Sequence, residues 1–199
     1  MRLYLKLSGW TFNPITPDVV HKKCVMICAP HTSNWDFIIT LFLMIQLNVK
    51  ASYAIKKEWM RFPFRPFLKA AGCIAINRLP RKNGEEREST VKAIARLFEQ
   101  RDKLCLMIAA EGTRYLRTEW KTGFYFIALE AGVPICLGYL DYAKKYTGIP
   151  KMIYPSGDIE ADMQEIMAFY ADKAAKHPKQ FKLDQRYLPT QSSSDAPSQ

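Results

Sequence analysis

The segment HTSNWD places a histidine, His31, five positions ahead of an aspartate, Asp36, and directly after an apolar run typical of a buried strand. An imidazole can act as a general base when a carboxylate holds its second ring nitrogen, because the carboxylate fixes the tautomer and stabilises the imidazolium that forms. The same residues fit another interpretation, in which Ser33 and Asp36 form a capping box at a helix start and His31 is an ordinary loop residue. The spacing alone leaves both interpretations open.

A second polar segment, EGTR, also follows an apolar run. Gly112 permits a tight turn with positive φ, Arg114 can present its guanidinium to a phosphate, and Glu111 can orient that arginine or the loop. The alternative is a surface turn with a Glu–Arg pair. Arg78 ends a third apolar run, and considered by itself it would be a solvent-exposed residue at the end of a strand. Together the three segments predict a histidine base beside an anion clamp, which suits transfer to a hydroxyl of a phosphorylated molecule.

The elements that would position these residues alternate between short apolar runs and helical periodicity, which predicts a single α/β domain whose central sheet is mixed, largely parallel and flanked by helices. Strands are predicted at 24–28, 52–55, 73–77, 104–109, 134–140 and 151–155, and helices at 35–47, 85–101, 123–132 and 159–176. The helix at 35–47 is apolar on all sides, so we expect it to be buried or to face lipid. The domain is expected to span residues 1–189, with a short interfacial segment at its start and a disordered tail at 190–199.

The chain is strongly basic, with 29 Lys and Arg against 19 Asp and Glu and a net charge of +10. Residues 56–82 carry +7 of this charge, so an anion-binding surface is expected there. The five cysteines are odd in number, form no C-x-x-C pair and lie in apolar runs, which indicates buried thiols in a reduced compartment. With only three histidines and no H-E-x-x-H motif, no metal site is expected. The longest apolar run, at 37–45, is shorter than the ~20 residues needed to span a bilayer.

Four segments of this sequence, in order, resemble the motif blocks of the glycerolipid acyltransferases. They are HTSNWD at 31–36, GCIAINR at 72–78, EGTR at 111–114 and VPI at 133–135. Two departures stand out. The family has an aromatic residue and proline before the glutamate, where this chain has Ala109 and Ala110, and YLRTEW replaces the small polar residues that follow the arginine. Since that loop handles the acceptor in the family, the departures leave the acceptor's identity open.

The resemblance implies that His31 deprotonates the acceptor hydroxyl for attack on an acyl thioester, with Asp36 holding the imidazole. The thioester would come from acyl carrier protein or coenzyme A as a co-substrate, with no cofactor bound. Arg78 and Arg114 would grip the acceptor phosphate. The acceptor-binding loop formed by Glu111, Gly112, Thr113 and Arg114 would shape the pocket. The leading acceptor is 1-acyl-sn-glycerol-3-phosphate, giving phosphatidic acid, and the alternatives are another lysophospholipid or an amino-acid lipid precursor.

The basic segment KKEWMRFPFRPFLK interleaves cations with aromatic residues, as surfaces that dock on anionic headgroups do. The alternative is a set of core aromatics beneath a solvated cationic face. We expect a cytoplasmic protein, peripheral on the inner face of the membrane. The residues expected to face the membrane are Trp59, Arg61, Phe62, Phe64, Arg65 and Phe67.

Three rival functions are weaker. A nucleic-acid-binding protein would explain the charge but would leave His31, Asp36 and the EGTR segment without a role, so no nucleic-acid partner is expected. A lipid hydrolase is disfavoured because the chain lacks G-x-S-x-G. A non-catalytic protein that binds anionic membranes would have to retain the His31–Asp36 pair by accident.

Overall fold

The computed structural model describes residues 9–13, 15–56, 60–70, 72–76 and 90–188. Its strands are β1 (Thr11–Phe12), β2 (Lys23–Ala29), β3 (Ala51–Lys56), β4 (Cys73–Ile76), β5 (Leu104–Ile108), β6 (Ile135–Asp141) and β7 (Tyr146–Ile153). Its α-helices are α1 (Asn34–Gln46), α2 (Arg65–Ala70), α3 (Thr90–Glu99), α4 (Gly123–Ala131) and α5 (Ile159–Tyr170). Short 3-10 helices lie at Asp18–His21, Pro178–Gln180 and Gln185–Tyr187.

The strands form one sheet in the order β1-β7-β6-β2-β5-β3-β4. β6, β2, β5, β3 and β4 run parallel to one another, while β7 pairs antiparallel with β6 and β1 pairs parallel with β7. The predicted α/β class with a mixed, largely parallel sheet is therefore confirmed. The centre of the sheet is β2, which lies between β6 and β5.

The sheet is buried on both faces because successive side chains of the central strands enter different apolar clusters. In β2, Val25 and Ile27 join the larger cluster, which also includes residues of α3, α4 and α5. Cys24 and Met26 point to the opposite cluster, where α1 packs through Leu43 and Met44. Such two-sided burial is typical of parallel strands in α/β proteins and explains why they appear in the sequence as unbroken apolar runs. The cysteines predicted to be buried thiols are free, and four of the five are buried.

Helix α1 follows β2 after a four-residue loop, and its burial is one-sided. Ile39, Thr40, Leu43 and Met44 are buried, whereas Trp35 and Ile45 are 47% and 45% exposed. Of the two expectations for this helix, complete burial is wrong, since part of its apolar surface faces outward, and contact with lipid stays a prediction. No helix in the described ranges is long and apolar enough to cross a bilayer.

Several boundaries differ from the sequence predictions. The last strand begins at Tyr146, earlier than predicted, because Asp141 accepts hydrogen bonds from the backbone N–H of Ala143 and Lys144 and so turns the chain straight back onto β6. The last helix ends at Tyr170 rather than at 176, because the next residues make tertiary contacts, including a bond from Tyr142 N to the Ala174 carbonyl. Strand β1 was not predicted. Residues 77–89 and the tail at 190–199 lie outside the described residues.

Candidate active site

The two polar loops expected to carry chemistry meet at one edge of the sheet. β2 ends at Ala29 and is followed by the loop with His31, and β5 ends at Ile108 and is followed by the loop 109–122. The strands are parallel neighbours, with Ile27 opposite Ile108. Loops that follow the carboxyl ends of adjacent parallel strands emerge side by side, which is where α/β proteins commonly place their ligand sites. The fold therefore brings His31 together with residues 111–114, the loop that the resemblance predicts to bind the acceptor and that keeps the name acceptor-binding loop below.

His31 and Asp36 lie close enough to act as a pair. Nδ1 of His31 is 3.5 Å from Oδ2 of Asp36, and their side chains are 28% and 3% exposed. Contact through Nδ1 leaves Nε2 as the nitrogen available to a substrate proton. Asp36 also completes a capping box with Ser33, whose Oγ accepts from Trp35 N at 3.2 Å. The two interpretations of this segment are therefore compatible, because one carboxylate both caps α1 and contacts the imidazole.

The Asp36 carboxylate is held by several donors. Oδ2 accepts from the backbone N–H of Thr32 and Ser33, both at 2.7 Å, and Oδ1 accepts from the Tyr142 hydroxyl at 2.6 Å. Burial alone would raise the pKa of Asp36, but the hydrogen bonds from His31, Tyr142 and the two backbone groups outweigh it, and the net pKa is lowered. Asp36 is consequently held as a buried anion that faces the imidazole.

Tyr142 is a site residue that the sequence predictions missed. It follows β6, which pairs with the other side of β2, so its hydroxyl reaches the same edge of the sheet. Its ring packs edge-on against Trp10, with 5.0 Å between the ring centroids. Burial and the bond to Asp36 raise the pKa of Tyr142, so the phenol remains a donor. A polar residue directly after a predicted parallel strand was the signal that could have found it.

Glu111 does not pair with Arg114, as one interpretation of EGTR proposed. It is 2% exposed, and its Oε1 accepts from the backbone N–H of His31 at 2.6 Å. Burial raises the pKa of Glu111 to about 8, the His31 bond opposes that shift, and the nearby Asp36 carboxylate adds to it. Glu111 therefore orients the histidine loop from the neighbouring strand.

Glu111→Gln is expected to become more stable relative to the wild type as the pH rises. Above pH 4.5 the unfolded carboxyl releases a proton that the folded one retains to about pH 8, so rising pH favours unfolding of the wild type across that window. Glutamine keeps an oxygen acceptor for His31 N–H and does not titrate. Urea unfolding should show the difference in unfolding free energy between variant and wild type growing by about 3 kcal/mol from pH 5 to pH 8.

The matched control for this prediction is Glu99→Gln, at the exposed end of α3, which should show no comparable trend. A difference between Glu111→Gln and the wild type that stays constant over this pH range would contradict the assignment.

The rest of the acceptor-binding loop presents a cation. Gly112 has a φ of 69°, which confirms the expected positive-φ turn, and a Cβ at this position would lie 2.9 Å from Lys121 Cδ. Thr113 Oγ1 accepts from Tyr115 N at 3.3 Å. Arg114 is exposed, and its guanidinium has no carboxylate partner among the residues that the structure describes. Arg78, the other expected phosphate ligand, lies outside the described residues.

Two cavities meet at His31. One is apolar, has an empty volume of about 640 Å³ with its open mouth, and runs between α1, β3 and β5, lined by Phe37, Tyr53, Ile55 and Met107 among others. The other is a wider cleft of about 1080 Å³, lined by Asn34, Leu68 and residues 112–115. A polar hollow of about 560 Å³ adjoins Arg114 on the side of Thr32, His177 and Gln180. The imidazole therefore stands where an apolar chain and a charged group could approach from different sides.

The residues expected to face a membrane are partly described. Phe62 and Phe64 are 90% and 65% exposed, and Arg61 and Arg65 are exposed beside them, so these two phenylalanines are not core aromatics. Trp59 and the side chain of Phe67 lie outside what the structure describes. Tyr115, which directly follows the acceptor-binding loop, is also exposed, at 75%.

The described residues contain no group of three or more His, Cys, Asp or Glu side chains that could hold a metal ion.

Comparison with known proteins agrees with this geometry. A family model described as "Acyltransferase" matches residues 15–136, more than half of the chain. The chain is also 28% identical over 142 residues to the "Probable 1-acyl-sn-glycerol-3-phosphate acyltransferase" of Mycoplasma pneumoniae, an alignment that covers 67% of this chain and 50% of that protein. The chain thus spans about half the length of this relative. The matched region includes His31, Asp36 and the acceptor-binding loop, and the chain belongs to the acyltransferase family.

Proposed function

We propose that this chain is an enzyme that transfers an acyl group from a thioester to the hydroxyl of a lysophospholipid. The leading acceptor is 1-acyl-sn-glycerol-3-phosphate, which would give phosphatidic acid in phospholipid synthesis. The observation that carries the proposal is the position of His31, which contacts a buried carboxylate and lies between an apolar cavity and a cleft lined by the exposed Arg114. The name of the Mycoplasma pneumoniae relative supports the same acceptor.

The proposed reaction uses His31 as a general base. Nε2 takes the proton of the acceptor hydroxyl as the oxygen attacks the thioester carbonyl, and Asp36 stabilises the imidazolium. The tetrahedral intermediate then expels the thiolate, which receives the proton from the imidazolium. The thioester is already activated, so no covalent acyl-enzyme is needed. The acyl chain would occupy the apolar cavity, and Arg114 would bind the acceptor phosphate in the cleft.

The experiment that tests this proposal offers purified protein two thioesters, on acyl carrier protein and on coenzyme A, with a panel of acceptors in liposomes. The panel contains 1-acyl-sn-glycerol-3-phosphate, other lysophospholipids and an amino-acid lipid precursor. Ester formed on the first acceptor supports the proposal, and ester formed on another identifies a different acceptor. Binding to anionic liposomes without consumption of any thioester would favour the non-catalytic membrane protein instead.

We also propose that exposed aromatics and cations near the acceptor cleft dock on the anionic inner face of the membrane. The exposed pair Phe62 and Phe64 precedes α2, and Leu68 of that helix lines the same cleft as Tyr115. Insertion of aromatic rings at the headgroup level and contact of arginines with anionic lipids both contribute to membrane affinity. A lysolipid could then enter the cleft from the membrane surface.

The double variant Phe62→Ser/Phe64→Ser is expected to bind anionic vesicles at least about 10-fold more weakly, because two buried rings contribute several kcal/mol at an interface. Vesicle co-sedimentation measures this, and thermal unfolding should change little because both side chains are exposed. The control is Phe126→Ser/Tyr154→Ser, which removes exposed aromatics from α4 and from the end of β7. Equal loss of binding in both double variants would reject the assigned surface.

A further inference from the structure

The segment after α5, residues 171–188, crosses the candidate site, and we call it the C-terminal strap. Its Ala174 carbonyl accepts from Tyr142 N at 2.9 Å, and Ala175 is buried. Farther along, His177 N donates to Thr32 Oγ1 at 3.2 Å. The strap thus touches both the residue that supports Asp36 and the residue next to His31.

Gln180 of the strap joins the two loops of the site. With its amide nitrogen turned toward them, the side chain donates to the carbonyl of Thr32 and to the carbonyl of Arg114, each at 3.1 Å. A side-chain amide has two N–H donors, so one group can serve both carbonyls. Thr32 is 4% exposed, and its backbone N–H is already bound to Asp36. A single side chain therefore links the loop of His31 to the loop of Arg114.

The strap is fixed beyond Gln180 as well. Asp184 is fully buried and accepts from Trp120 N at 2.8 Å and from the Arg186 guanidinium at 2.7 Å. Gln185 N donates to the Thr118 carbonyl at 2.9 Å, and the Trp120 indole donates to the Lys182 carbonyl at 3.0 Å. These bonds secure the strap to residues 118–120, which follow the acceptor-binding loop in the chain. The strap is consequently anchored both before and after Gln180. Gln180 can therefore hold the carbonyls of Thr32 and Arg114 at a fixed distance from each other.

We propose that Gln180 is a positioning residue, which sets the distance between the histidine base and the arginine that binds the acceptor phosphate. This inference rests on the proposed function. Gln180 lies outside the region 15–136 matched by the family model, so the match does not account for it. The physical basis is that transfer requires the acceptor hydroxyl to reach His31 while its phosphate is held at Arg114. An error of about 1 Å in such a placement can cost on the order of 100-fold in rate.

The test compares Gln180→Ala and Gln180→Glu with the wild type. For Gln180→Ala we expect the acceptor KM to rise about 10-fold or more, the KM for the thioester to change less, and the melting temperature to fall by only a few degrees. Gln180→Glu should raise the acceptor KM more than Gln180→Ala does, because its carboxylate would face two carbonyl oxygens without a proton to donate. The control is Gln185→Ala in the same strap, because the Gln185 side-chain amide donates to the nearby Leu183 carbonyl and to no other group in the described part of the chain.

A second readout does not depend on activity. Hydrogen exchange of residues 31–36 should be about 10-fold faster in Gln180→Ala and unchanged in Gln185→Ala, because the backbone N–H groups of this loop are ordered by bonds to Asp36 and Glu111. An unchanged exchange rate in Gln180→Ala would overturn the inference. An equal increase of the exchange rate in Gln180→Ala and Gln185→Ala would overturn it as well. Absence of transfer by the wild type would instead remove the proposed function, and exchange would still decide the role of Gln180.

Discussion

His31→Ala is expected to lower acyl transfer by at least about 100-fold and up to about 10⁴-fold, the range that general-base catalysis supplies. The acceptor hydroxyl has a pKa far above neutrality, so without a base its proton must leave to water during the attack. Binding of both substrates should largely persist, because Arg114 and the apolar side chains that line the cavity are unchanged. The measurement is the initial rate of ester formation on liposomes at saturating acceptor and thioester.

The fold of this variant should survive. The imidazole is partly exposed and contributes to none of the three apolar clusters, and the backbone N–H of residue 31 can still donate to Glu111. His21→Ala is the matched control, since His21 is exposed and lies before β2, at the opposite end of that strand from His31. Turnover by His31→Ala that equals the wild-type turnover would reject the proposed mechanism. Loss of vesicle binding in His31→Ala but not in His21→Ala would show that the substitution impairs membrane binding as well as the chemical step.

Much of the architecture could be predicted because local pattern and tertiary environment agree in it. The central strands β2, β5 and β6 are buried on both faces, so their sequences are continuous apolar runs with clear ends. The helix α4 ends where Gly132 adopts a left-handed conformation, with φ of 61°, as the sequence indicated. The proximity of His31 to Glu111 follows from the same strands, since both residues come directly after parallel neighbours.

Other features of the site depend on contacts between distant parts of the chain. Tyr142 reaches Asp36 across 106 positions and His177 reaches Thr32 across 145, and no local pattern encodes either pair. The first residues of the strap, 171–176, have a composition that favours a helix, so the sequence predicts that the last helix extends to 176. The strap's bonds to Tyr142 and Thr32 favour a different path, so tertiary contacts override helix propensity there.

The role of Glu111 was also hidden in the sequence. Its neighbour Arg114 offered an obvious partner within the same segment, whereas its actual partner is a backbone N–H on another strand's loop. A glutamate buried to 2% exposure needs such a donor, because an unsatisfied carboxyl in the interior is costly. The sequence identified the residue, and the sheet order determined what it contacts.

Asp36→Asn is expected to reduce kcat by about 10³–10⁴-fold while largely preserving the fold. An asparagine side chain retains one oxygen that can accept from Thr32 N and Ser33 N, so the start of α1 should remain capped. It carries no charge to stabilise the imidazolium, and its amide nitrogen, in the place of Oδ1, would face the Tyr142 hydroxyl that donates to Oδ1 in the wild type. The acceptor KM should change little, because Arg114 is untouched. Steady-state kinetics with acceptor and thioester varied in turn separate the two effects.

The pH dependence of stability distinguishes this charge effect from a packing defect. The folded-state pKa of Asp36 is lowered below its ordinary value of 3.8, so the carboxylate stabilises the wild type above that pH and loses this contribution as the pH falls through the folded pKa. The gap in unfolding free energy between wild type and Asp36→Asn should therefore be largest near neutrality and shrink below about pH 4.

Tyr142→Phe, which removes one donor to the same carboxylate, should shift the pKa of Asp36 back toward 3.8 and lower kcat by a smaller factor than Asp36→Asn does. If Asp36→Asn kept wild-type kcat while its stability gap followed this course, Asp36 would be a capping residue alone, and the imidazole would have to work without a carboxylate partner.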